Sequence, residues 1–489
     1  MFCLSDFKQL NFFDQVSELN TLSFQKPVKF VELLKEHFDL KAFIPESFSK
    51  NYYSSLGSDR DYQLHSVLAA FFIMHIFNIP TTTLLCIFLS FSTYLQDFYQ
   101  FTDKIPDETF FSRFKTSFEN DIAIMFESMI PHILDICSQI DNNLPQGSPH
   151  KGFSTSVIYD TSGLKPKVKE NNPKTLVSQI NKQKAFAKTI NNEKFNPYAA
   201  AYKNMPKQAE CNPDIKLDFV NGHFGYFYKF GILTNGLGIP LRLHFFDDAF
   251  YSSVKVDFDT PQDQKYAFDN ASLKPVLKPF LESFPNHGFN TFLGDSEFDS
   301  YDNYGFLKSL NFEKVLIPIN PRNSKKPDTT SIIKVNHEGT PLCPLTGEEF
   351  LPDGSCKGKK RSFRLKYICC KSKRINGKLI CQCQTPCRRT KSTVTVYKYP
   401  HKDFRLYPGI QRCSKDWDSK YKTRAVIERS IASLKKNPSI EAPRTVNTAS
   451  MRSDLYLAGI SKLITVLLAY SINKPQYICS IRKIMRLVA

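Results

Sequence analysis

Glycine and tryptophan are scarce in this 489-residue chain, which has 19 of the first and one of the second. No glycine-rich loop of the sort that cradles nucleotide phosphates stands out, and no Ser/His/Asp arrangement is apparent, so neither ATP-driven nor acyl-transfer chemistry finds support. An apolar run long enough to cross a bilayer is missing as well. Residues 66–77 are too short and their continuation is broken by Asn78 and Pro80; residues 455–470 are short and carry Lys462 in their middle. Both are expected to be buried helices. The start of the chain lacks the basic residues and apolar stretch of a secretory signal, which makes a cytoplasmic protein without a membrane partner the expectation.

Positive charge, in contrast, is in excess. Sixty-five Lys and Arg against 47 Asp and Glu give a formal charge of +18 and a pI near 9.2. This balance implies an extended basic surface that attracts a polyanion and releases counterions on binding; ribosomal, membrane-surface and heparin-type partners fit the charge equally well. Hydrophobic residues make up 42% of the chain and aromatics 13%, enough for a large core and two to four domains. Most of the 43 Phe must lie in that core and are not read as base-stacking platforms.

Charge and apolarity are patterned most sharply near the C-terminus. Tyr421, Arg424, Glu428 and Lys435 stand at offsets of 0, 3, 7 and 14. At about 100° per residue on a helix, these offsets put Arg424 at roughly −60°, Glu428 at roughly −20° and Lys435 at roughly −40° from Tyr421, a single narrow face. Val426, Ile427, Ile431 and Leu434 are spaced to bury the other face. A carboxylate flanked by a guanidinium, an ammonium and a phenol suits a site that binds a metal and a phosphate together. A surface helix with i,i+4 charge pairs is the plainer alternative.

The spacing Tyr-x2-Arg-x3-Glu-x6-Lys resembles, without a gap, the signature around the last acidic residue of bacterial insertion-sequence DDE transposases. Two upstream segments resemble that family's other acidic motifs. One is the apolar run 156–159 ending in Asp160 and Thr161; the other is the run 289–293 leading to Asp295, with Phe298 and Asp299 as an aromatic-Asp pair. The three occur in the family's order, and the resemblance covers about residues 60–470. It implies an RNase H-like α/β core, a mixed sheet flanked by helices with acids at strand ends. It also implies phosphodiester cleavage with two Mg²⁺ ions, for which Mn²⁺ substitutes, about 3.5–4 Å apart. Asp160 would bridge the ions, Asp295 and Glu428 would each complete one side, Arg424 and Lys435 would hold phosphates, and Tyr421 would position the strand. Asp295, Glu297 and Asp299 lie within five residues. Asp295 ends the apolar strand and is taken as the ligand, with Asp299 as N-cap of a helix over residues 300–310.

The implied partner is double-stranded DNA, both the element's own ends and the target, engaged by a homodimer at the nucleoid of a bacterial cytoplasm, with 3′-OH ends joined to target DNA. A DNA-binding descendant without transposition activity, serving as a repressor or architectural protein, is the alternative. A metal-dependent nuclease with no strand-transfer step would share the three acids.

Residues 1–145 read as a helical N-terminal DNA-binding domain. Pro106, Asp107, Glu108 and Thr109 ahead of Phe110, Phe111 and Phe114 have helix-start chemistry, and Arg113 and Lys115 are candidate phosphate contacts. Residues 150–320 are read as the first part of the catalytic domain and 414–489 as the second part with C-terminal helices. Within the first part, the polar stretch 165–216 is expected to be loop or short helix laid against DNA. Residues 223–246 read as a hairpin whose Asn235 and Gly236 supply positive φ angles, and 289–293 and 314–319 as strands. Residues 321–413 form a Cys/Lys-rich insertion holding eight of the 13 cysteines. Clustered cysteines in a cytosolic protein favour structural Zn²⁺ over disulfides, but the spacing is irregular, Cys383-x3-Cys387 being the nearest to a ligand pair, and no ligand set can be named. Lys357, Lys359, Lys360, Arg361, Arg388, Arg389 and Lys391 make the insertion a candidate DNA clamp. Trp417 lies four residues before Tyr421, where it is either buried or stacks on an extruded base.

Overall fold

Among the described residues helices come first: α1 (Lys29–His37), α2 (Glu46–Tyr52), α3 (Leu64–Ile76), α4 (Thr82–Ser90), α5 (Thr93–Tyr99), α6 (Glu108–Ser117) and α7 (Glu119–Asn142). The computed structural model describes residues 29–488 apart from 55–59, 92, 102–103, 149, 191–194, 221–222, 255–260, 321–332, 359–360, 385–392 and 413. α6 begins where its sequence chemistry predicts. Asp107 is the N-cap, accepting from the Phe110 N–H at 2.6 Å and the Thr109 hydroxyl at 2.7 Å, with Glu108 in the first turn. Phenylalanines do serve as core here: Phe48, Tyr52, Phe71, Phe111 and Phe114 interlock with ring centroids 5.2 to 6.2 Å apart.

A mixed, curled sheet follows, made of β1 (Ser156–Leu164), β2 (Gln208–Ala209), β3 (Asn212–Val220), β4 (His223–Asn235), β5 (Pro240–Phe246), β6 (Thr291–Leu293) and β7 (Lys314–Leu316). Its order is β2-β3-β4-β1-β6-β7, with β5 also paired to β4. β1 is antiparallel to β4 and parallel to β6, which is parallel to β7. The β4–β5 hairpin falls where the sequence places it, but the left-handed residue is Gly238, at φ +81°, rather than Asn235 or Gly236. Asn235 contributes its side chain instead, accepting from the N–H groups of Leu237 and Ile239 at 3.1 Å each.

Residues 165–216 are more ordered than expected. They contain α8 (Pro173–Ile190), α9 (Pro197–Asn204), β2 and β3. β3 alternates buried Ile215 and Leu217 with polar Asp214 and Lys216, too short a period-2 pattern to stand out in a lysine-rich stretch. Then come α10 (Asp248–Val254), α11 (Pro261–Ser283) and α12 (Tyr301–Ser309). Ser300, not Asp299, caps α12, accepting from the Asn303 N–H at 3.1 Å.

The insertion forms a three-stranded antiparallel sheet of β8 (Leu351–Gly358), β9 (Arg361–Ile368) and β12 (Thr395–Lys398), and a separate hairpin of β10 (Ser372–Ile375) and β11 (Lys378–Cys381). It has its own small core, in which Cys343 and Cys369 pack with Phe350, Leu365 and Tyr367. Lys357 is exposed on β8. Lys359, Lys360, Arg388, Arg389, Lys391, Cys387 and Cys413 lie outside the described residues, as does the side chain of Arg361.

The chain ends with α13 (Lys415–Tyr421), α14 (Ala425–Leu434), α15 (Pro438–Glu441), α16 (Thr448–Ser471) and α17 (Ile481–Val488). Among the described residues α16 is the one helix long and apolar enough to span a membrane, yet 83% of its most apolar window is buried inside the protein. A Cβ at Gly459 would meet Leu243 at 2.7 Å and Phe126 at 2.9 Å, so a larger residue there would require these side chains to shift and α16 to stand further from β5 and α7. One continuous set of buried side chains joins the N-terminal helices, the sheet and α16.

Lys115, expected at a DNA phosphate, belongs to that core. It is 7% exposed, and its Nζ donates to both carboxylate oxygens of Asp454 on α16, at 3.0 and 2.8 Å. Burial and pairing take it out of reach of DNA, whereas Arg113 is exposed. Lys115→Ala strands the Asp454 carboxylate in a dry site and should lower the unfolding free energy by about 3–5 kcal/mol, while Lys115→Met combined with Asp454→Leu should recover most of that loss. Denaturant titration of the three variants decides this; equal losses in single and double variants would show that the pair does not join α6 to α16.

Candidate functional site

β1 is apolar up to Tyr159, with Val157, Ile158 and Tyr159 fully buried. It matches β6 from Ser156 opposite Thr291 to Ile158 opposite Leu293. Two residues further on, each chain segment turns acidic, Asp160 in one and Asp295 in the other. Parallel register and a side-chain period of two therefore bring both carboxylates to the same level and side of the sheet. Asp160 accepts from the Thr161 N–H at 2.8 Å, and Asp295 from the Glu297 N–H at 2.9 Å as N-cap of a 3-10 turn.

Glu428 arrives from the C-terminal segment, which is not the single unbroken helix expected. α13 ends at Tyr421, a 3-10 turn spans Lys422–Arg424, α14 follows, and Lys435 is its C-cap. Ile427 and Leu434 are fully buried and Val426 and Ile431 partly so, which seats α14 on the core as its spacing predicts. The polar side chains still share one side. Arg424 Nη1 donates to Glu428 Oε1 at 2.6 Å, while Nη2 lies 3.3 Å from Asp160 Oδ2 and 3.6 Å from Asp295 Oδ2. Three carboxylates from three remote parts of the chain thus converge on one guanidinium.

They border a cleft of about 590 Å³. Lys435 also lines it and donates to the Gly163 carbonyl at 2.5 Å. Burial, opposed by Glu441, pushes the Lys435 ammonium down to about 8. Burial together with the neighbouring Asp295 pushes the Asp160 carboxyl up to about 7, against the pull of Arg424. Burial also pushes the Tyr421 phenol up to about 12, with Arg424 opposing. Trp417 is buried; its ring stacks on Tyr421 with centroids 6.2 Å apart, and Arg412 covers it at 4.7 Å, so it is not open to an extruded base.

Of the three neighbouring acids of the second motif, Asp295 and Glu297 line the cleft and Asp299 does not. Asp299 is fully buried, accepting from Arg405 Nε at 2.8 Å, Arg405 Nη2 at 2.6 Å and the Asn320 N–H at 2.7 Å. A cleft residue that sequence reasoning missed is Lys229 on β4. Its Nζ is 2.9 Å from Asp218 and 2.6 Å from Asp269, all three side chains buried. The available signal was a lone lysine inside an otherwise apolar aromatic strand, which in a core must have carboxylate partners.

Among the described residues no three His, Cys, Asp or Glu side chains are gathered closely enough to hold a metal ion as they stand. At the cleft the reason is visible, since the Arg424 guanidinium occupies the point where the carboxylates meet. The donor set itself suits a hard divalent cation: convergent carboxylate oxygens, one of them with a proton affinity raised by burial and by the neighbouring Asp295. In the insertion, Cys370 donates to Glu348 at 3.2 Å and Cys356 accepts from Arg364 at 3.1 Å.

Comparison with known proteins bears on the N-terminal helices. Residues 19–117 match a family described as Transposase domain (DUF772), of which α1 to α6 fall within the described residues. No curated protein matches the chain. The chain thus carries a transposase-family domain at residues 19–117, ahead of the sheet that bears the acidic cleft.

Proposed function

We propose that this chain is a DDE-type transposase with an RNase H-like core, which cuts the ends of its own insertion sequence and joins the 3′-OH ends to target DNA. The observation that carries the reading is the convergence of Asp160, Asp295 and Glu428 on Arg424, read together with the transposase-domain match. The mixed sheet, with Asp160 within β1 and Asp295 just beyond the end of β6, supports the core assignment. When bound, two Mg²⁺ ions supply charge neutralisation on the phosphorus oxygens and a nucleophile at neutral pH. Asp160, Asp295 and Glu428 would hold them. Arg424, released from the carboxylates, turns to a DNA phosphate, for which a guanidinium is well matched. Lys435 already reaches the cleft and adds a second phosphate contact, and half-buried Tyr421 limits where the strand can lie. Each chain offers one such cleft, so two element ends call for two copies.

Purified protein incubated with labelled DNA carrying the element's ends should nick at the boundary with Mg²⁺ and not with EDTA. Asp160→Ala, Asp295→Ala and Glu428→Ala should each cut at below about one-hundredth of the wild-type rate with DNA binding retained. Asp299→Ala should instead lose stability, by about 3–5 kcal/mol, because it leaves Arg405 buried without its partner. Tight, salt-sensitive binding with no cut by the wild-type protein would sink the proposal.

A second prediction concerns pH. The Asp160 carboxyl holds its proton more tightly in the fold than in the unfolded chain, so its contribution to stability is intact below the ordinary carboxylate value and is lost as pH rises through about 7. Melting curves of metal-free protein should show Asp160→Asn gaining on the wild type between pH 4 and 8. Mg²⁺ at a hundredfold excess over its dissociation constant should return about 2.7 kcal/mol to the wild type alone.

A further inference from the structure

Behind α14, on the side away from Glu428, lies a cavity that the proposed chemistry does not use. One chamber, of about 80 Å³, is lined by His75, Ser433, Asn437, Lys462, Ile481 and Arg482 among others. It adjoins a second chamber of about 400 Å³, walled by apolar side chains and Arg429; Ser433, Lys462 and Cys479 border both. No Asp or Glu is among the described residues lining either chamber.

Positive charge is nonetheless concentrated there. Lys462, in the middle of α16, donates its Nζ to the Ser433 hydroxyl and has no carboxylate partner among the described residues. Burial above all, against the opposing effect of Cys479 and with smaller contributions from nearby Lys436 and Arg482, brings its ammonium down to about 8. The contrast within the same fold is plain: buried Lys115 is matched by Asp454, and buried Lys229 by Asp218 and Asp269. A cation set among cations in a partly dry cavity is costly unless an anion joins it.

His75 supplies an independent pointer. It is 8% exposed, and Asn437 Nδ2, which can only donate, lies 3.4 Å from its Nδ1. The ring proton therefore sits on Nε2, which is buried with no hydrogen-bond partner among the described residues. A buried donor left without a partner is destabilising unless a ligand accepts from it. Ile481 and Arg482 add first-turn N–H groups of α17, which have no intrahelical acceptor.

We propose that this cavity is an anion site for a phosphoryl group, held by Lys462, the His75 Nε2–H and the first turn of α17, with Arg429, Lys436 and Arg482 at its rim. The chamber offers donors and cations without a carboxylate, and its volume exceeds the share of two water molecules at about 30 Å³ each. Two sources present the same chemistry, a DNA backbone phosphate and free phosphate or a nucleotide. In either case the occupant braces α14 from behind, opposite the face that carries Glu428.

Calorimetric titration of the full chain with inorganic phosphate at low ionic strength tests the site directly. Saturable one-to-one binding is expected, weakened at least about tenfold by Lys462→Met and several-fold by Arg429→Gln, the latter a surface change that leaves the core untouched. Duplex DNA binding measured across a salt series then separates the sources. If DNA supplies the group, phosphate competes with DNA and Arg429→Gln reduces the salt slope by about 1. If free phosphate or a nucleotide does, that slope is unchanged while phosphate binding is weakened. No saturable phosphate binding at millimolar concentration, or binding that both substitutions leave intact, overturns the proposal.

Discussion

Like charge held in one place is the constraint on which this structure turns. Asp160 and Asp295 sit level because the parallel pairing of β1 with β6 runs up to Ile158 and Leu293, two residues before each acid, and Glu428 is brought in by a helix whose apolar face leaves it little freedom. Two like charges about 4 Å apart near a protein surface repel by about 4 kcal/mol. One guanidinium shared among three carboxylates does not cancel that. The excess shows at Asp160, the most enclosed of the three, whose proton affinity rises with burial and the nearness of Asp295. The junction of β1, β6 and α14 is therefore a place where the fold accepts a cost, as functional sites commonly do.

Elsewhere the same chain treats buried charge differently. Lys115 and Asp454 tie α6 to α16, Lys229 ties β4 to β3 and α11, and Arg405 ties the end of the insertion to Asp299 beside the cleft. Two of the three ties, Lys115–Asp454 and Arg405–Asp299, join segments more than a hundred residues apart. Such pairs add little net stability over apolar residues of the same size, but they penalise any packing in which the partners fail to meet. Asp299 illustrates the division of labour. It lies four residues from Asp295 and has the same chemistry, yet it is spent on architecture because Arg405 reaches it first.

What was legible in the sequence were the features carried by local pattern. The strands around Asp160 and Asp295, the β4–β5 hairpin, the start of α6 at Asp107 and the buried character of α3 and α16 each follow from a run of a few residues with a definite period or cap. The strand β3 was missed because its alternation is brief and its less buried positions include lysine and aspartate, which composition reads as loop. The roles of Lys115, Lys229 and Asp299 were not legible because each depends on a partner many residues away: Asp454, Asp269 and Arg405. No periodicity within a helix or strand records whether a lysine on it will meet a carboxylate or water. The 3-10 turn at Lys422–Arg424 was hidden for a different reason, since three residues of tighter winding hardly disturb spacing that a continuous helix would also satisfy.

The helix α14 also separates opposite electrostatic environments. Its front borders five carboxylates, Asp160, Asp295, Glu297, Glu428 and Glu441, against Lys229, Arg424 and Lys435, and its back borders Lys462, Arg482 and Lys436 with no carboxylate among the described residues that line it. The net charge of +18 is therefore not uniformly spread, and in the cleft carboxylates outnumber cations. An acidic cleft repels a phosphodiester until its charge is neutralised, so attraction of a polyanion must be the work of basic surface elsewhere on the molecule. Holding DNA and admitting its backbone to the acids are then separate free-energy terms, the first falling with salt and the second set by whichever cation replaces Arg424 among the carboxylates. A protein built this way can lose the second without the first, and the charge on the two sides of α14 is what keeps them apart.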